Sequence, residues 1–420
     1  MKLTEKVIQF GEGGFLRGFF DWMVKKLNDS TDFGGSVIIV QPIKEGLCDL
    51  IAERGFVYTH LIRGAEGFEQ EKIDVISRCS KPYDDFEGYL SLADIKSVRF
   101  IVSNTTEAGI VFDPKDRWED GADVSFPAKL TRLLYRRYQL GLPGYILLPC
   151  ELIDRNGDKL LECVLKYASL WELGDGFCSF VRNDNVFTNT LVDRINTGYP
   201  KGEDTGIEDP LLNTSEFFHL WVIETQADIE SEIPFSKAGL NVIITKDALE
   251  KYRTRKVRIL NGAHTSLVPY AMLSGFDTVK SCIDDEKMRA HIEGCIFEEI
   301  IPTLDLPRDE LEEYARSVIT RFSNPYVKHY LSSISLNSVS KFRVRVLPSI
   351  LEYIRRFGSI PKRLVFSFAM LIKFYKEGTP NDLPEVTDFM RSSSPQQILS
   401  SLALWGEDLS FLSEEVKKWL

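Results

Sequence analysis

Lys6-Val7-Ile8-Gln9-Phe10-Gly11-Glu12-Gly13-Gly14-Phe15-Leu16-Arg17-Gly18-Phe19-Phe20-Asp21-Trp22 reads as a short apolar strand, a glycine turn and an amphipathic helix. That order begins a dinucleotide-binding fold. Glycines let the backbone approach a pyrophosphate, and the free amides and positive dipole end of the helix receive its charge. The fingerprint is incomplete, because Leu16 stands where the third glycine of G-x-G-x-x-G belongs. An ordinary strand-to-helix turn uses the same glycines, so this stretch alone leaves both readings open.

Working outward, Ser36-Val37-Ile38-Ile39-Val40-Gln41, Arg99-Phe100-Ile101-Val102-Ser103-Asn104 and Tyr145-Ile146-Leu147-Leu148-Pro149 are continuous apolar runs. Such runs suit parallel strands buried on both faces. Helical patterns at residues 44–53, 84–92 and 127–140 separate them, so strand and helix alternate as a doubly wound sheet requires. Asn104-Thr105-Thr106-Glu107 would set small polar groups at the carboxyl edge of that sheet, where these folds bind ligands. Gln41 closes the second strand in place of the carboxylate that would hold the adenosine ribose and favour NAD, so the residues themselves leave NADP open. After the polar, glycine-bearing residues 200–206 the pattern changes to helical periods at 285–301, 308–321 and 346–357. The expectation is an α/β Rossmann-like, doubly wound NAD(P)-binding domain over residues 1–199 and a mostly α-helical substrate-binding domain over 200–420.

A second stretch, Lys256-Val257-Arg258-Ile259-Leu260-Asn261-Gly262-Ala263-His264, sets an amine, an amide and an imidazole within an apolar run. In an α-helix, at about 100° per residue, Asn261 lies roughly 140° and His264 roughly 80° around the axis from Lys256, and all three are expected on one side. Desolvation draws the pKa of a partly buried lysine towards neutrality and lets its amine shuttle a proton. The same residues also suit a salt-bridged lysine, a helix-bound asparagine and a core histidine.

Gly11-x-Gly13-x-Phe15-x-Arg17 and Lys256-x4-Asn261-x2-His264 together resemble the polyol-specific long-chain dehydrogenases, the mannitol dehydrogenase family, over nearly the whole chain. A narrower likeness rests on Ile8-Gln9-Phe10-Gly11-Glu12-Gly13, Ser103-Asn104-Thr105-Thr106-Glu107-Ala108-Gly109-Ile110, Glu151-Leu152-Ile153-Asp154-Arg155-Asn156-Gly157 and Ser338-Val339-Ser340-Lys341-Phe342. These blocks look like the members that act on keto-hexuronates. The resemblance implies a metal-independent, NAD-dependent reduction of tagaturonate to altronate. Fructuronate or a mannitol-type polyol are the alternatives within the family, and a catalytically silent dinucleotide- or sugar-binding sensor the alternative outside it.

The same resemblance gives Lys256 the role of acid and base, Asn261 and Asn189 that of holding the developing oxyanion, and His264 that of orienting the substrate. Asn189 also suits the N-cap of a helix leading to Arg194. Phe10, Gly11, Gly13, Gly14, Phe15, Arg17, Gln41, Asn104, Thr105, Thr106 and Glu107 become the expected cofactor contacts. Lys341 becomes the candidate for the substrate carboxylate, as a point charge. Relatives also continue beyond the counterpart of Leu420.

Composition agrees with an enzyme of small molecules. A net charge of -11 argues against a nonspecific grip on nucleic acid, and an anionic substrate then needs a local basic pocket. No apolar run approaches the roughly 20 residues of a membrane span, and the N-terminus lacks a signal peptide's apolar core, so a cytoplasmic protein is expected. The 7 cysteines form no C-x-x-C pair and the 5 histidines are scattered. They are read as reduced thiols and isolated imidazoles, with no metal site.

Overall fold

Strand β1 (Thr4–Phe10) pairs in parallel with β2 (Gly35–Val40) in a computed structural model that describes residues 3–106 and 108–420. All six residues of β2 are buried, as its unbroken β-branched run demands. The chain then leaves this sheet for a hairpin, β3 (Tyr58–Gly64) and β4 (Gly67–Ile73), and returns as β5 (Ile76–Ser80) beside β2. Strands β6 (Phe100–Ser103), β7 (Ile146–Pro149) and β8 (Val186–Phe187) extend the other side, giving a wholly parallel order β5-β2-β1-β6-β7-β8. Helices Gly14–Ser30, Phe126–Gln139 and Asn156–Leu170 follow β1, β6 and β7, so the doubly wound plan holds. Apolar side chains from both faces of the sheet form two cores, one around Phe19, Phe20 and Trp221, the other around Ile8, Leu133 and Leu147. Each large side chain so buried contributes about 1.5–3 kcal/mol.

Two smaller sheets belong to the same part of the molecule. One has the order β10 (Asn196–Gly198), β11 (Asn213–Ser215), β3, β4. The other runs β13 (Val242–Thr245), β12 (Leu220–Glu224), β9 (Asn189–Asp193). Asn189 therefore opens a strand, not a helix leading to Arg194, because β9 pairs antiparallel with β12 along its whole length.

The chain divides into two compact units, one ending at Leu249 and the other running Glu250–Leu420. The polar residues 200–206, where the sequence suggests a boundary, lie inside the first unit. The pairing of β11 with β3 and of β12 with β9, and the Arg63–Glu203 ion pair at 2.6 Å, hold the following segment there. The second unit is helical, and among its described residues only the isolated bridge Thr278–Tyr330 has strand character. Helix Lys362–Glu377 is its buried centre and packs on Gly262–Leu273. No helix among the described residues is long and apolar enough to cross a membrane.

Candidate functional site

The glycine turn is bare for reasons the backbone imposes. Gly11 has φ +119°, a conformation L side chains rarely adopt, and donates its N–H to the Val40 carbonyl at 3.0 Å. A Cβ on Gly11 would also lie 3.3 Å from the Asn104 carbonyl. Gly13, the extended residue before the first helix, would meet nothing within 4 Å among the described residues if it carried a Cβ, and no acid occupies the helix's first turn. Open space in front of unopposed helix amides, with no competing carboxylate in that turn, fits the pyrophosphate of a dinucleotide.

The missing third glycine has a structural counterpart. Leu16 is buried core, while Gly14 and Gly18 make the close approach: a Cβ would sit 2.9 Å from Asn213 Oδ1 at the first and 1.9 Å from Asn196 Nδ2 at the second. Both asparagines donate to the Gly14 carbonyl, at 2.8 Å from Asn196 and 2.9 Å from Asn213.

The other expected cofactor residues divide into those that shape the cradle and those at its edge. Phe10 is buried against Phe126, with ring centroids 4.9 Å apart, and Phe15 stacks on Phe19 at 5.0 Å. Arg17 turns inward, donating to the carbonyls of Glu12 at 3.0 Å and Leu211 at 2.7 Å and lying over the Tyr58 ring. Its guanidinium therefore fixes the turn from behind. Gln41 is likewise engaged: its amide donates to the carbonyls of Ile43 and Lys44, both at 3.1 Å, and its oxygen accepts from Cys48 N. Asn104 donates to the Cys150 carbonyl at 2.8 Å, and Thr106 is held at φ +77°. Glu107 lies outside the described residues.

Glu151, quoted in the sequence only as part of a family block, organises this edge. Its buried carboxylate accepts from Ser103 Oγ at 3.1 Å and from both N and Oγ1 of Thr105 at 3.0 Å. Burial pushes its pKa up, against the pull of these hydrogen bonds. Asp21 lies deeper, beneath the turn, and burial raises its pKa to about 7 despite the nearby Arg17.

In the second unit the chain is helical through Leu249–Arg255, Lys256–Asn261 and Gly262–Leu273, but the middle segment is a π turn. The Gly262 N–H reaches back five residues to the Val257 carbonyl. The α-helical spacing expected from the sequence does not hold across this turn. An i→i+5 turn draws residues five apart towards one face, so Lys256 and Asn261 face together more closely than the roughly 140° of a regular α-helix allows. Gly262 permits the packing that follows, since a Cβ there would meet the Arg345 carbonyl at 3.1 Å.

Lys256 and Asn261 are half-buried, and among the described residues no hydrogen bond engages the Asn261 carboxamide. His264 stacks on Phe322, with centroids 4.2 Å apart, and lies 5.7 Å from the His329 ring. Its Nε2 is buried and has no hydrogen-bond partner among the described residues. Burial, reinforced by His329, Arg321 and Arg345, drives its pKa down to about 3, so the imidazole is neutral at physiological pH. A buried, unsatisfied, neutral ring nitrogen is suited to a substrate hydroxyl.

Lys256, Asn261 and His264 thus share one helix. Asn189 belongs to the first unit, where its side chain binds the start of helix Asn156–Leu170: Oδ1 accepts from Asp158 N and Nδ2 donates to Asp158 Oδ1, both at 3.1 Å. One Nδ2 hydrogen remains beyond that bond. Lys341 lies on helix Ser338–Arg345, which packs on Gly262–Leu273, and its amine donates to the Ile334 carbonyl at 3.0 Å. Sequence reasoning missed the π turn and Arg345; only the spacing of Lys341 and Arg345, one helical turn apart, hinted at the latter.

Comparison with known proteins agrees in both units. Residues 5–237 match the mannitol dehydrogenase Rossmann domain and residues 248–412 the mannitol dehydrogenase C-terminal domain. An altronate oxidoreductase of Bacillus subtilis (strain 168) is 44% identical, the alignment covering 97% of this chain and 89% of that protein. One from Klebsiella pneumoniae (strain 342) is 45% identical over 89% of this chain and 80% of its own length. Among solved structures, a D-sorbitol dehydrogenase in substrate-free form superposes with TM-score 0.85 at 21% identity, covering 100% of this chain and 92% of the other. A Pseudomonas fluorescens mannitol 2-dehydrogenase in a ternary complex with NAD and D-mannitol gives 0.69 at 20% identity, covering 99% and 90%. At that identity the structural likenesses speak for the fold.

Proposed function

The chain belongs to the mannitol dehydrogenase family, and from that premise we propose that this NAD-dependent oxidoreductase of a secondary alcohol interconverts tagaturonate and altronate. The substrate assignment is supported by the altronate oxidoreductases at 44% and 45% identity. The observation that carries the chemistry is the π turn that draws Lys256 and Asn261 towards one face.

The glycine turn at Gly11, Gly13 and Gly14 would hold NADH, which would supply a hydride for the carbonyl carbon. Lys256 donates its proton to the carbonyl oxygen, which leaves a secondary alcohol; in the reverse direction the amine takes the hydroxyl proton back. Asn261 and Asn189 donate hydrogen bonds to the oxygen as its charge grows, each worth about 3 kcal/mol in a water-poor site. His264, neutral, fixes a substrate hydroxyl through Nε2. With 7 cysteines that all remain free thiols, a reducing, cytoplasmic setting belongs to the same proposal.

The test is Lys256→Ala. NADH should bind nearly as well as to the wild type, while turnover falls by about 10³-fold or more, within the range that general acid–base catalysis supplies. Turnover at the wild-type rate rules out the lysine's role. Following the nicotinamide absorbance with tagaturonate, fructuronate and fructose offered separately decides the substrate, and activity confined to fructuronate or fructose overturns that assignment.

A further inference from the structure

We infer that Arg345 is the residue that binds the substrate's carboxylate and so makes this site select a sugar acid over a neutral sugar. The inference rests on the keto-hexuronate reading above and adds to it the group that reads the acid.

Arg345 ends the helix Ser338–Arg345, and its carbonyl docks on the catalytic helix at Gly262, the residue after Asn261. Its guanidinium runs along that helix to Thr265, the residue after His264, and Nη1 approaches Thr265 Oγ1 at 3.5 Å. That is the outer limit of a hydrogen bond, so the planar fork of donors is scarcely engaged. The side chain is half-buried, yet among the described residues no carboxylate pairs with it.

A cation removed from water without a counter-charge is costly, and the cost is met when an anion arrives. The remaining neighbours strengthen the case. Lys341 lies one turn earlier on the same helix, and two like charges at that spacing repel. Burial lowers the pKa of both, and the Arg345 charge lowers that of Lys341 further. Asp382, the acid that bears on Lys341, is bound by the Tyr375 hydroxyl and the Val339 N–H. A carboxylate held by the Arg345 fork in bidentate fashion, with Lys341 beside it, would relieve both cations at once. His264 stands next to Thr265, so an acid anchored there leaves the sugar's hydroxyls beside the imidazole.

Arg345→Gln and Arg345→Lys test this, with kcat/KM measured under saturating NADH for tagaturonate and for tagatose, which carries a hydroxymethyl group in place of the carboxylate. In Arg345→Gln the loss with tagaturonate should exceed the loss with tagatose by at least about 30-fold and fall mainly on KM, the scale expected when one partner of a charged pair is truncated. Arg345→Lys should recover part of it. Altronate should raise the melting temperature of the wild type, and of Arg345→Gln much less, while the ligand-free melting temperatures agree. Equal losses on both sugars, or an undiminished rate with tagaturonate, overturn the role of Arg345. A wild-type enzyme inert towards tagaturonate instead overturns the substrate assignment on which it rests.

Discussion

Asp21 shows how a single side chain beneath the cofactor cradle shapes the behaviour of the fold. It is fully buried; Tyr58 donates to Oδ2 at 3.3 Å, and Oδ1 has no hydrogen-bond partner among the described residues. With its pKa raised from 3.8 to about 7, the native state keeps a proton that the unfolded chain has already released between those values. Stability from this group is therefore present at low pH and is lost as pH rises through about 7. Asp21→Asn removes the titration: its melting temperature should match the wild type's near pH 3 and exceed it by a gap that widens from about pH 4 and reaches a few degrees near pH 8. A gap independent of pH in thermal melts would contradict this. Residue identity alone shows less than that. Arg17 and Gln41 stand where a motif expects cofactor contacts, yet both side chains are spent on backbone carbonyls of their own turn and loop. The motif encodes where the backbone must be bare, which is local; where a long side chain turns depends on Leu211, nearly two hundred residues away.

At the scale of an element, the glycine turn makes two opposite demands. Gly11→Ala forces a side chain into φ +119° and against the Asn104 carbonyl, and should lower stability by about 1–3 kcal/mol. Gly13→Ala meets no atom of the described residues within 4 Å, so its melting temperature should stay within about 1 °C of the wild type. It fills the space proposed for the pyrophosphate, however, and should weaken NADH binding by about tenfold or more, or 1.4 kcal/mol, in a fluorescence titration. Wild-type affinity in Gly13→Ala would move the phosphate elsewhere. The strands of the main sheet were legible because each is an apolar run that needs no partner to be recognised. Gly67–Ile73, GFEQEKI, and Asn213–Ser215, NTS, were not, since polar strands of this kind are defined by what pairs with them. The π turn was equally hidden. Lys256–Asn261 has the composition of an ordinary helix, and nothing in its own residues announces a widened turn.

For the whole molecule, the order of a parallel sheet domain followed by a helical one was readable from the change of period, but its border was not. Residues 200–206 have a linker's composition and no linker's role, because the strands after them complete sheets begun by β9 at Asn189 and by β3 at Tyr58. The first helix depends on that late segment. Its Arg17 is held by the Leu211 carbonyl, and its Gly14 carbonyl is shared by Asn196 and Asn213. This bears on anyone who would excise the coenzyme-binding half for separate use. Cut after residue 199, the piece loses two of those clasps, the β11 neighbour of β3 and the β12 neighbour of β9, and should be recovered as aggregate; cut after Leu249, it keeps them all and should stay in solution and quench on adding NADH. Gel filtration of the two fragments distinguishes them, and a monodisperse shorter fragment would mean that the cradle needs no bracing from downstream.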